Sequence, residues 1–219
     1  MESQNMSNSE TMSTSETMST SETIALTEDT RLRVDIYSML AHLLRKAPDQ
    51  NVIDWLAALD VDAPNALKQT TGMAAAWPLL KLAAQKTTLM ATEDEYQDLF
   101  IGIGRGEIVP FASWYLTGSL MEMPLAHLRH DLKQLEFERD ESVKEPEDHM
   151  AALLEVMAML VEEGENTLQA RFFNRHIATW CERFCADLKT AKSAVFYSAV
   201  GELALQFLTV EKTRFVEAN

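Results

Sequence analysis

The chain has 219 residues, with 34 acidic against 19 basic side chains and a formal net charge of −15. That length is enough for a sizeable core in one or two domains, and 47% hydrophobic content excludes an acidic chain disordered throughout. The acidity argues against non-specific nucleic-acid binding and against docking on an anionic membrane, both of which need clustered Lys and Arg; it leaves room for a basic partner.

Residues 1–26 are low in complexity. Ser9-Glu10-Thr11-Met12-Ser13-Thr14 repeats as Ser15–Thr20 and begins again at Ser21. A six-residue period with one methionine per repeat matches no helical face and buries too little to offset chain entropy. This segment is expected to be a disordered acidic tail, followed by one folded unit over 27–219. Six of the 34 acidic residues and none of the basic ones fall in the first 30 positions, so the body carries −9.

The body reads as helix after helix. Leu32, Ile36, Met39, Leu40, Leu43 and Leu44 recur at helical spacing after the acidic start Glu28-Asp29. Pro48 ends that run, Val52 to Leu59 form a short second helix, and Pro64 suits the first turn of a third. Thr92-Glu93-Asp94-Glu95 has the form of a capping box opening a helix with Tyr96, Leu99, Phe100 and Ile103 on one side. The glycine cluster Gly102, Gly104 and Gly106 then makes a loop, read as mobile. Helical pattern resumes near Ser113 and again at Pro124. Pro146 is expected to open the clearest helix, with Met150, Leu153, Leu154, Met157, Leu160 and Val161 on one face and Gly164 ending it. Leu168 to Leu188 mark one further helix and Val200 to Leu208 the last. With only seven Gly and six Pro, and no alternating strand pattern, the sequence predicts an all-α globular domain of about eight to ten helices.

The longest uncharged stretch of note, Ile108 to Met121, contains Pro110 and Gly118 and is too short to span a bilayer. The N-terminus has no basic region and no apolar core of a secretory signal, and there is no Arg-Arg pair. Two cysteines, Cys181 and Cys185, make no disulfide framework. A cytoplasmic location is expected.

Catalytic and metal patterns are weak. Gly102-Ile103-Gly104-Arg105-Gly106-Glu107 lacks the spacing of a dinucleotide fingerprint and the Lys-Ser/Thr of a P-loop. His127/His130 and Cys181/Cys185 each share a helix face, yet neither pair has neighbours completing four ligands; buried structural cysteines beside Trp180 and Phe184 are the simpler reading. Taken alone, Glu145-Pro146-Glu147-Asp148-His149 reads as an acidic helix start.

Two stretches say more. Glu95-Tyr96-Gln97-Asp98-Leu99-Phe100, followed by Gly106-Glu107-Ile108-Val109-Pro110 and Ser113-Trp114-Tyr115, resembles the Tyr-x-x-Leu-Phe…Gly…Pro…Ser-x-Tyr segment of the TorD/DmsD/NarJ-type chaperones. Glu145-Pro146-Glu147-Asp148-His149 is similar to that family's Glu-Pro-x-Asp-His motif. The likeness leans toward the TorD and DmsD branch, although the repetitive tail is foreign to the pattern and Phe111-Ala112 stand where a second proline and an aromatic are common. The resemblance implies an all-helical cytoplasmic chaperone and not an enzyme. Its partner would be the precursor of a molybdopterin-containing oxidoreductase, bound through its twin-arginine signal peptide until the molybdenum cofactor is inserted. It implies no cofactor of its own, with guanine nucleotide as an alternative, and either a monomer or a homodimer. A helical adaptor of an unrelated complex, or a nucleotide hydrolase using the Gly102–Glu107 loop, are the competing readings.

Within that resemblance the candidate signal-peptide residues are Glu145, Pro146, Asp148, His149 and Glu155, with Tyr96, Leu99, Phe100, Trp114 and Tyr115 as apolar walls. Asp148, Glu155 and Glu162 lie seven apart and are expected to form an acidic stripe, with Asp148 accepting a guanidinium. His149, with an ordinary pKa near 6.5, is expected to shape the pocket and respond to pH. Met121, Met123, Met150, Met157 and Met159 are soft side chains suited to varied apolar segments or to an ordinary core.

Overall fold

Thr27 starts the first helix by accepting the Thr30 N–H on its side chain at 3.1 Å, and Glu28 and Asp29 follow at the positive end of the helix dipole. The computed structural model describes residues 27–61, 71–140 and 142–217, so the tail over 1–26 and the helix start at Pro64 lie outside the described residues. Ten α-helices follow in order: α1 Glu28–Arg45, α2 Gln50–Ala57, α3 Met73–Lys86, α4 Leu89–Tyr96, α5 Ala112–Thr117, α6 Met123–Gln134, α7 Met150–Glu163, α8 Asn166–His176, α9 Cys181–Thr190 and α10 Phe196–Glu217. A π-helical turn, Gln97–Ile101, extends α4. The described residues contain no strand, only an isolated antiparallel bridge between Phe111 and His149. None of their helices is long and apolar enough to cross a membrane.

The core lies where α7 meets α1 and where α10 meets α3, α8 and α9. The expected face of α7 is buried throughout, from Met150 to Val161, and Gly164 closes the helix in the left-handed region at φ 81°. On α1 the inward face is shifted. Leu32 is 55% exposed, and Arg33 is buried instead. Its guanidinium meets both oxygens of Glu211 on α10, at 2.9 and 2.6 Å, and the Gln169 side-chain oxygen at 3.0 Å; the Tyr37 hydroxyl donates to the same Glu211 at 2.8 Å. A charge is tolerated there because the guanidinium is held by an opposite charge and several hydrogen bonds.

Several local features differ from the sequence expectation. The cap of α4 is Thr88, whose side chain accepts the Ala91 N–H; Thr92 sits one turn inside the helix and donates back to the Thr88 carbonyl. Glu95 closes no capping box. It reaches the far end of the sequence, where it accepts the Val195, Phe196 and Tyr197 N–H groups at 2.7–2.9 Å and caps α10. The stretch from Leu168 to Leu188 is two helices, because the chain leaves helical geometry at Ile177 and the Trp180 indole donates to the freed His176 carbonyl at 2.7 Å.

The glycine loop is built around the π turn. Gly102 donates to the Gln97 carbonyl, Glu107 to that of Asp98 and Ile108 to that of Leu99. A side-chain carbon on Gly106 would sit 2.4 Å from the Leu99 carbonyl oxygen. The segment folds back this tightly only with glycine there.

Candidate functional site

Pro146 is the first residue of a turn, not of α7. Its carbonyl accepts the His149 N–H, and α7 begins at Met150 with His149 as its cap. The displaced residues do something else. The Asp148 carbonyl accepts the Ala112 N–H at 2.9 Å, and the Met150 N–H reaches the Pro110 carbonyl at 2.8 Å. One Asp148 carboxylate oxygen accepts the Ser113 N–H at 2.8 Å and so caps α5. The two motifs, 35 residues apart at Ser113 and Asp148, are therefore one structural unit.

Asp148 is consequently not on an exposed acidic stripe with Glu155 and Glu162. It is 1% exposed and precedes the helix. Its second oxygen, Oδ1, is buried without a hydrogen-bond partner, as is the neighbouring Ser113 hydroxyl. Asp148 lines a cavity of about 100 Å³ with Ala112, Leu116, Pro124, Leu128 and Leu153. Small-molecule sites are commonly about 300–1,000 Å³, so this volume suits a single side-chain head. His127, Arg175 and His176 form its other wall. Two of these are answered by Asp131, which pairs with Arg175 at 2.8 Å and His176 at 2.8 Å. Burial lowers the His176 pKa, only partly opposed by the hydrogen bond to Asp131. Asp148 is thus left as the carboxylate without a cationic partner on the cavity wall.

His149 behaves differently from expectation. Its Nδ1 accepts the Ala151 N–H at 3.1 Å, and its ring meets Phe111 edge to face at 5.0 Å. Burial, with the nearby Arg45 charge, pushes its pKa down to about 3. The imidazole is neutral through the physiological range and carries no pH response there.

Glu145 and Glu155 belong to a second, adjacent cavity of about 170 Å³, floored by Leu132, Phe137, Val143, Leu153, Val156 and Met159. Arg45 bridges the two acids, with Nη2 2.6 Å from Glu155 and Nη1 3.1 Å from Glu145. Glu147 also borders this cavity. Burial disfavours its charge, but hydrogen bonding to Arg129 and the charge of Arg139 hold its carboxyl below the usual range.

None of the residues expected as apolar walls, Tyr96, Leu99, Phe100, Trp114 and Tyr115, lines either cavity. The Tyr96 hydroxyl donates to the Arg45 carbonyl at 2.8 Å, its ring packs on Phe100 and Tyr197, and burial plus the Glu145 charge push its pKa up to about 12. Leu99 is fully buried and lines neither cavity. Tyr115 stacks on Trp180 at 5.2 Å and donates to Asp187, and Trp114 carries the Arg105 guanidinium 4.8 Å above its ring. Trp114 and Tyr115 therefore lie outside both cavities, while Leu116 of the same helix enters the smaller one. Ser113 and Glu147 stand in the two motifs but were not among the candidates, and the contact of the motifs brings Ser113 to Asp148; Arg45 and Leu116, which border the larger and the smaller cavity, carry no local signal that singles them out.

The other patterns resolve structurally. Cys181 and Cys185 are buried, and burial pushes the Cys181 thiol up to about 11 and Cys185 well above its ordinary value. No cluster of three or more metal-ligating side chains occurs among the described residues. In the glycine loop, Glu107 hydrogen-bonds Ser193.

A family model described as nitrate reductase delta subunit matches residues 67–186. Chaperone protein TorD of Histophilus somni is 27% identical over 115 residues, covering 52% of this chain and 60% of that one. The Tat proofreading chaperone DmsD of Haemophilus influenzae is 31% identical over 117 residues, covering 52% and 57%. The chain thus spans about 60% of the length of these relatives. A crystal structure of a redox enzyme maturation protein from Archaeoglobus fulgidus shares the fold, with TM-score 0.57, 17% identity, and coverage of 86% of this chain and 99% of that one. These relatives are named for chaperoning and maturation, not for catalysis.

Proposed function

The chain belongs to the nitrate reductase delta subunit family, and on that premise we propose that it is a cytoplasmic maturation chaperone for a molybdoenzyme precursor. It binds the twin-arginine signal peptide of the catalytic subunit and holds the precursor until the molybdenum cofactor is in place and before export. The observation that carries this reading is the Asp148 carboxylate: 1% exposed, with Oδ1 unpartnered, on the wall of a cavity whose apolar side is Ala112, Leu116, Pro124, Leu128 and Leu153 and whose other wall carries His127 and the Asp131-paired Arg175 and His176. A buried anion with a free acceptor is costly until a donor arrives. A guanidinium supplies both charge and planar donors, and the apolar wall accepts its methylene stem. The relative named as a Tat proofreading chaperone supports the same partner.

The test is co-purification. Expressed with a molybdopterin oxidoreductase precursor bearing an Arg-Arg signal, the tagged chain is expected to retain the precursor and to lose it when the signal is deleted. Retention of the signal-deleted precursor at full yield overturns the signal-peptide reading.

A further inference from the structure

The two cavities share a wall. Leu153 lines both, and the consecutive residues Glu147 and Asp148 border one each, Glu147 the larger and Asp148 the smaller. In an extended peptide consecutive side chains also point to opposite sides. We propose that the larger cavity is a second guanidinium subsite, and that the pair of cavities reads two consecutive arginines of one extended segment. The proposal rests on the signal-peptide reading and adds to it the Glu145/Glu155 pair.

A guanidinium already sits on that pair. Arg45 engages Glu155 through Nε and Nη2, at 3.3 and 2.6 Å, and Glu145 through Nη1 at 3.1 Å. This is the fork geometry that an incoming arginine reproduces. The acids are accessible, with side chains 46% and 48% exposed, so the internal pair is exchangeable at little cost. The rim carries Glu138, Asp140, Glu145, Glu147 and Glu155 against Arg45 and Arg139, an excess of negative charge over an apolar floor. That combination fits an arginine followed by apolar residues. Arg45 is thus a resident competitor: a client arginine takes its place, and Arg45 swings to solvent. α1 and α7 do not depend on it, since Leu40, Leu43 and Leu44 already bury their side of the core they share.

The experiment is calorimetric titration of the full chain with a synthetic peptide carrying Arg-Arg before a Leu/Ala run, and with its Arg-Gln and Gln-Arg versions. Arg45→Gln is expected to bind the Arg-Arg peptide about fivefold more tightly, the scale of one exposed charge pair. The double variant Glu145→Gln/Glu155→Gln is expected to bind it about fivefold or more weakly, and to lose this sensitivity for one of the two single-arginine peptides. Should Arg45→Gln lower the melting temperature, Arg45→Lys, which keeps the charge but not the fork, is expected to give a smaller gain. If these variants bind as the unchanged chain does while Asp148→Asn is weakened, the second subsite is overturned and the signal-peptide reading stands. If the unchanged chain binds no Arg-Arg peptide, both are overturned.

Discussion

The Asp148 carboxylate accepts the Ser113 backbone N–H at 2.8 Å with one oxygen and leaves the other buried without a partner. One residue therefore joins the start of α5 to the start of α7 and also presents an acceptor to a cavity. The two roles are separable. Asp148→Asn keeps an oxygen for Ser113 and removes an unpaired charge, so unfolding free energy is expected to change by less than about 1 kcal/mol. Asp148→Ala removes the cap as well and is expected to cost about 1–2 kcal/mol more, read by urea denaturation. Equal stability of the two variants would show that the Ser113 contact contributes nothing.

Glu95 is expected to matter for stability rather than binding. Its carboxylate accepts three N–H groups at the start of α10, the helix that completes the core. Glu95→Ala leaves them buried or half-buried without an acceptor and is expected to destabilise the fold by about 2–3 kcal/mol. Glu95→Gln, which keeps one oxygen, is expected to lose less. Thermal unfolding followed by circular dichroism distinguishes them.

His149 gives stability a defined pH dependence. Its pKa falls from 6.5 to about 3 on folding, because burial and the Arg45 charge oppose protonation. Between those values the unfolded chain takes up a proton that the folded chain refuses, so stability is full above pH 6.5 and declines as pH falls toward 3. Lowering the pH from 7 to 4.5 is expected to cost about 2–3 kcal/mol through this group alone. His149→Asn retains an acceptor for the Ala151 N–H and is expected to lose that share of the decline. An identical slope in both proteins would contradict the buried neutral imidazole.

The glycine loop separates two kinds of glycine. Gly106 faces the Leu99 carbonyl so closely that alanine forces the backbone apart, and Gly106→Ala is expected to cost about 2 kcal/mol or more. Gly104 has φ 87° with open space around it, so Gly104→Ala is expected to cost only about 1 kcal/mol. Chemical denaturation of the two variants checks the order.

Local pattern carried the helices well where one face met the core. The six apolar residues of α7 and the glycine that ends it were legible because helical period and burial agree there. It failed where a distant partner decides. Arg33 reads as a surface residue until Glu211, 178 positions later, supplies its counter-charge. Glu95 reads as part of a local capping box because its true partners lie about 100 residues away. Pro146-Glu147-Asp148 has the composition of a helix start, but the Asp148 carbonyl is taken by the Ala112 N–H and the Met150 N–H by the Pro110 carbonyl, so the helix begins later. The Asp-His motif was legible as a motif, while the orientation of each of its side chains needed the fold. Asp148 faces a cavity, whereas His149 turns inward as a cap.

The central claim, that Asp148 holds an arginine of a twin-arginine signal, is tested most directly by calorimetric titration of the Arg-Arg peptide into the unchanged chain and into Asp148→Asn. The account predicts saturable binding that weakens about tenfold or more in the variant, the scale of a lost charge-assisted hydrogen bond, with the helical circular dichroism unchanged. Equal affinity in the two proteins would contradict it.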